Sequence, residues 1–242
     1  DKNLGCKKGV SSAITWFFEH EEQGIILEDD CIPNLDFFNF CENLLIRYSR
    51  DKRIFTITGN NFQNGKWRGD ASYYFSKKFH CWGWATWKRA WKLYQGDILF
   101  WPEWKKSNAW KKYMNDKDER SYWEKIFNKV YLNQTDSWAY PWIANIWYNG
   151  GLTVTPNNNL VTNIGFGPNA THTKIQNNKL SEQPTKEIGD LIHPKIVQIN
   201  FEADQYVFKT LYKDNRLFIV KILSLIFSYI KKLLNLNINN VK

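Results

Sequence analysis

Three consecutive carboxylates, Glu28-Asp29-Asp30, follow directly on the apolar run Ile25-Ile26-Leu27. Adjacent acids repel one another and resist joint desolvation, so such a cluster calls for a cation or a hydrogen-bonded polyol beside it. No His-x-x-His or cysteine pair lies near them in the sequence. Oxygen-only ligation of that kind suits a hard divalent ion, Mn2+ or Mg2+, whose remaining positions go to substrate phosphates. The chain has neither a G-x-x-x-x-G-K-S/T loop nor a G-x-G-x-x-G turn, so a bound diphosphate would be neutralised chiefly by metal. The competing reading is a solvated acidic turn before Pro33.

Asp136 is a second acid of interest, because it precedes the aromatic stretch Trp138-Ala139-Tyr140. A carboxylate among aromatics would bind its proton more tightly and could serve as general base on an alcohol. Asp-Ser before an apolar helix is equally a helix N-cap. His172, in a polar loop after Gly165-Phe166-Gly167, is a candidate contact for metal or phosphate, or simply a solvated side chain.

These groups need elements to hold them. Val10, Ala13, Ile14, Phe17 and Phe18 recur at helical spacing and lead into a strand at residues 25–27. The strand is read as buried and parallel, its carboxyl end facing a crevice. Pro33 and Asn34 open a second helix, and residues 53–58 alternate as a strand that stops at the turn Gly59-Asn60-Asn61. The order helix, strand, helix, strand predicts an α/β sheet layered with helices.

Twelve of the 13 tryptophans lie between Trp67 and Trp147. Within that region a strand is expected at 73–75 and a tight aromatic turn at His80-Cys81-Trp82-Gly83-Trp84. A helix capped by Thr86 is expected at 87–94, and a basic helix broken near Asn115 and Asp116 at 110–130. Another helix is expected at 138–147, ending at Asn149-Gly150-Gly151, followed by a strand at 152–155 closed by Pro156. Residues 157–159 and 173–186 read as loops. From 216 to 235 polar residues draw a narrow stripe along an apolar helix too short to span a bilayer. It fits an amphipathic helix at a membrane interface, or one packed on its own protein.

With 242 residues the chain suffices for one large domain or two small ones. A net charge of +9 favours anionic partners without choosing among them. The four cysteines form no C-x-x-C pair and are expected as free thiols in a reducing compartment. The start at Asp1, with Met114 as the only methionine, suggests a fragment or a processed product.

The ordered set Glu28-Asp29-Asp30, Gly59-Asn60-Asn61, Cys81-Trp82-Gly83-Trp84, Asp136-Ser137-Trp138 and the loop from Asn163-Ile164-Gly165 to His172 resembles glycosyltransferases of the GT-A fold. It looks most like bacterial enzymes similar to N-acetylglucosaminyltransferase I, whose E-D-D sequence is a version of the D-x-D motif. The resemblance covers about residues 3–175. It implies a mixed, mostly parallel sheet flanked by helices: a partial GT-A domain over residues 1–210, with the first nucleotide-binding strands before Asp1, and a C-terminal amphipathic helix over 211–242. By that resemblance Asp30 would ligate Mn2+ or Mg2+, and Glu28 and Asp29 would hold the sugar and ribose of a UDP-sugar. Asp136 would deprotonate the acceptor hydroxyl for an inverting displacement. Asn60, Trp82, Gly83 and Trp138 would bind donor sugar and acceptor, and His172 would lie in the loop over the diphosphate.

The function so implied is transfer of a sugar to a hydroxyl of a cell-surface glycan or lipid-linked acceptor. Its place would be the cytoplasmic face of a membrane, reached through the C-terminal helix. The alternatives are a sugar-nucleotide pyrophosphorylase and a carbohydrate-binding module that uses the tryptophans as stacking platforms and the acids for calcium. A nucleic-acid binder is disfavoured, because the acidic triplet opposes a phosphate-tracking groove.

Overall fold

The computed structural model describes residues 2–165 and 183–213. His172 and all but the first three residues of the expected C-terminal amphipathic helix, 211–242, lie outside them. The chain divides into two units, Asp1–Phe201 and Glu202–Lys242.

In the first unit α1 (Gly5–His20) leads into β1 (Gln23–Ile26), followed by β2 (Cys31–Pro33), α2 (Leu35–Arg47), β3 (Ile54–Thr58), β4 (Tyr73–Ser76) and β5 (Trp84–Trp87). Five helices come next: α3 (Lys88–Trp91), α4 (Trp101–Lys106), α5 (Asn108–Tyr113), α6 (Lys117–Tyr131) and α7 (Ala139–Tyr148). Strands β6 (Leu152–Pro156) and β7 (Val161–Asn163) close the unit's regular structure. The main sheet has the order β1-β5-β3-β6-β4, and β2 pairs with β7 in a separate two-stranded ribbon.

The architecture is the expected α/β class, but the sheet is not mostly parallel. Among the described strands only β3 and β6 pair parallel; β1 with β5, β5 with β3, and β6 with β4 are antiparallel. Strands β1 and β3, joined through α2, run the same way, yet β5 enters between them in the opposite direction. Parallel neighbours need a long crossover, whereas an antiparallel strand can be inserted from any distance along the chain. For the same reason β1 is not the expected buried parallel strand: β5 is its one neighbour among the described residues, and all four of its positions are half-buried.

Helix α2 forms as its spacing predicts. Asn34 accepts from the Phe37 N–H at 3.0 Å as N-cap, and Phe37, Phe40, Cys41, Leu44 and Leu45 face the sheet. There they pack with Ile54, Ile57, Phe75, Ala85 and Val154. The other face meets the tryptophans: Phe55 lies against Trp142, and Trp84 stacks on Trp138 with centroids 5.3 Å apart. Ten of the 13 tryptophans are buried, so most of them build core instead of offering rings to a sugar.

Two local expectations hold and one does not. The break near Asn115 is present, with Asp116 capping α6 through the Glu119 N–H at 2.8 Å, and Gly150 takes φ +68° after α7. Thr86 caps no helix. It lies inside β5 and donates to the Phe55 carbonyl at 2.6 Å, while α3 is only the single turn Lys88–Trp91.

Behind the sheet, the Lys78 ammonium pairs with Glu119, both side chains being buried. Trp123 and Trp147 present their ring faces to the ammonium, at 5.7 and 5.3 Å from the centroids. His80 is buried nearby, edge-to-face with Phe62. Burial and then the Lys78 charge push its pKa down to about 3.

Between that value and the ordinary ~6.5 the unfolded chain binds a proton that the folded chain refuses. Stability from His80 is therefore complete above about pH 6.5 and is lost, at about 1.4 kcal/mol per unit, as pH falls towards 3. Urea unfolding at pH 7 and pH 5 should show wild type losing about 2 kcal/mol more than His80→Asn. Equal losses in the two proteins would contradict this account.

Helix α8 (Phe201–Val207), all but its first residue in the second unit, continues into a π-helical stretch, Phe208–Lys213, where Phe208 and Tyr212 stack. Among the described residues no helix is long and apolar enough to cross a membrane.

Candidate functional site

The acids emerge where β1 ends, and each is held differently. Glu28 is half-buried, and its Oε1 accepts from the Trp138 indole N–H at 3.0 Å across 110 residues of sequence. That indole is itself fixed by burial and by its stack on Trp84. Asp29 is exposed. Asp30 is half-buried; its Oδ1 accepts from Asn163 Nδ2 at 2.9 Å and from the Cys31 thiol at 3.5 Å, and its carbonyl accepts from the Ile164 N–H at 2.9 Å.

Asp136 is exposed rather than enclosed by aromatics, contrary to the sequence reading. It is a helix cap, but not of the helix it precedes: α7 has Trp138 at its N-cap, with no side-chain cap. Its oxygens accept instead from the N–H groups of Cys6 and Lys7, at 2.9 and 2.7 Å, in the first turn of α1. Backbone N–H groups left open there, and the helix dipole, favour a carboxylate at that position. Gly5 permits the approach, with φ +73° and no side chain between the chain and the carboxylate.

Three thiols mark how closely these acids gather. The Cys6 thiol is pushed up first by burial and then by the Glu28 and Asp136 carboxylates, so both acids act on one sulfur. Cys81 is pushed up by burial, then by Glu28, Cys31 and Asp30. Cys31 is pushed up to about 12, chiefly by burial. All four cysteines are free, as expected. Raised thiols are protonated at neutral pH and poor nucleophiles, so they line the site without offering covalent chemistry.

The remaining candidates divide. Trp82 is half-buried and meets Phe62 edge-to-face at 5.4 Å. Gly83, at φ +67°, lets the aromatic turn lie against Leu27, Phe37 and Val161; a Cβ there would come within 2.8 Å of Val161 Cγ2. Its role in this fold is close packing at the end of β1. Asn60 is buried and donates to the Val161 carbonyl at 3.2 Å, but its Oδ1 has no hydrogen-bond partner among the described residues. An acceptor so placed costs about 1–3 kcal/mol until a donor reaches it.

Glu28, Asp30, Trp138 and Asp136 are thus brought together at one end of the sheet, with Asn60, Trp82 and Gly83 packed around it. Asn163, Cys6 and Gly165 belong to the site as well; sequence reasoning gave Cys6 no role and named Asn163 and Gly165 only as the start of the loop that leads to His172. Among the described residues no group of three His, Cys, Asp or Glu side chains converges to hold an ion by itself. The single carboxylate of Asp30 is compatible with Mn2+ or Mg2+, which keep waters and take one or two carboxylates plus substrate phosphates. A groove of about 480 Å³ lies elsewhere, between α4 and α6, lined by Trp101, Lys105, Lys106 and Tyr131; none of the acids above borders it.

The chain matches no protein-family model and no curated protein.

Proposed function

We propose that the protein is a metal-dependent glycosyltransferase of the GT-A type. It would transfer a sugar from a nucleotide-diphosphate donor, a UDP-sugar, to a hydroxyl of a cell-surface glycan or lipid-linked acceptor. The observation that carries this reading is the Glu28–Trp138 hydrogen bond, which joins the acid cluster to the segment bearing Asp136. A binding-only module has no need of a base held beside an acid cluster. Its stacking platforms would also have to be Trp16, Trp67 or Trp82, the tryptophans that are not buried.

Asp30 is the residue to hold Mn2+ or Mg2+, which when bound supplies positive charge against a departing diphosphate. Glu28 and Asp29 present acceptors to donor hydroxyls, with Glu28 oriented by Trp138. The unpartnered Asn60 Oδ1 suits a substrate donor or an ordered water. Asp136 is the base. Its carboxylate is exposed, at a surface that an acceptor hydroxyl can reach.

Calorimetric titration of UDP and GDP, each with and without Mn2+, tests the reading. Manganese-dependent binding of a nucleoside diphosphate is expected; a folded protein that binds neither would overturn it. The base assignment has its own test in Asp136→Asn. That variant should keep nucleotide binding and lie within about 1 kcal/mol of wild-type stability, since one cap acceptor remains. Its turnover should fall about 10²–10⁴-fold, and undiminished turnover would remove Asp136 from catalysis.

A further inference from the structure

We infer that Asn163 is a positioning residue for the cation: it fixes the Asp30 carboxylate, and with Gly165 leaves that carboxylate a single orientation. This inference rests on the metal-dependent reading of the acid cluster. Asn163 ends β7, directly opposite Cys31 in the ribbon with β2, and is 3% exposed. Its amide is used at both ends. Nδ2 donates to Asp30 Oδ1 at 2.9 Å, and Oδ1 accepts from the Gly165 N–H at 2.9 Å. One buried side chain therefore ties the acid to the backbone two residues further along.

That backbone closes on the acid's other oxygen. A Cβ at Gly165 would overlap Asp30 Oδ2, so the glycine gives the carboxylate its space. The Ile164 N–H on the Asp30 carbonyl keeps the two segments in register. Oδ1 is thus engaged by Asn163 and the Cys31 thiol, while Oδ2 lies along a backbone without a side chain. A divalent ion taken by one carboxylate oxygen, with the other oxygen hydrogen-bonded, is a common arrangement of outer partners around a metal ligand. A neutral amide holds the acid without competing for the metal, as an ammonium or guanidinium would.

Two variants disturb the carboxylate from opposite sides. Asn163→Leu keeps the buried volume and removes the donor; Gly165→Ala leaves Asn163 in place and pushes Oδ2 aside. Apparent Mn2+ affinity would be measured by electron paramagnetic resonance at saturating UDP, with UDP affinity without metal measured in parallel and thermal melts confirming the fold. Both variants should bind Mn2+ about 10–100-fold more weakly while metal-free UDP affinity stays unchanged, a split that general loosening of the fold does not produce. If Asn163→Leu does not fold, Gly165→Ala decides alone. Mn2+ affinity within twofold of wild type in the folded variants, with Asp30→Asn still defective, would overturn the positioning role and leave the functional reading standing. No Mn2+ binding by wild type would overturn both.

Discussion

Replacing Glu119 with alanine should destabilise the protein by about 3–5 kcal/mol, because it removes the counter-charge of the buried Lys78 ammonium. The two side chains pair behind the sheet, and Trp123 and Trp147 turn their faces to the cation. Ring quadrupoles contribute roughly 1–2 kcal/mol to a desolvated cation, which does not replace the lost counter-charge. For a protein of this size the loss corresponds to a fall in Tm on the order of 10 °C. The double replacement Lys78→Met with Glu119→Leu should recover most of it, since exchanging a buried pair for apolar side chains is often neutral. A Glu119→Ala melt within 1 °C of wild type would show that the pair is not buried as described.

Asp30→Asn should weaken manganese-dependent UDP binding at least about 100-fold while leaving stability almost untouched. The amide keeps an oxygen where Asn163 donates, so the buried donor is not orphaned. What disappears is the negative charge that a hard cation requires. Asp30→Ala would lose the charge and also leave Asn163 Nδ2 without this acceptor, adding about 1–3 kcal/mol of instability. Comparing the two variants separates charge from packing. Wild-type affinity in Asp30→Asn would show that the cation, if bound, is held elsewhere.

Much of the fold was legible because its causes are local. The Asn34 cap and the spacing from Phe37 to Leu45 predict α2, and a turn signal at Gly59 ends β3 where expected. The Asp116-x-x-Glu119 step also begins a helix where the break was read. No local signal, however, tells that the Glu119 side chain turns inward to Lys78. Short strands suffered most. Residues 31–33 and 161–163 are three-residue strands with no periodicity to read, and they become strands only by pairing with each other.

The site divides along the same line. An apolar strand ending in three acids is visible in sequence because strand and acids are neighbours. The 110-residue step from Glu28 to Trp138, the 133-residue step from Asp30 to Asn163 and the 129-residue step from Asp136 to Lys7 are not.

By itself the sequence determined the α/β class, the helices with clear caps and faces, the free thiols and the place where acids collect. Each depends on residues a few positions apart, whose geometry is set by the backbone period. Only the tertiary structure decided that β5 enters between β1 and β3 and that the tryptophans fill the core. It alone placed Asp136 on the first turn of α1 and gave Asp30 its partner in Asn163. Those outcomes depend on which surfaces meet after the chain has closed long loops, and no local period encodes them.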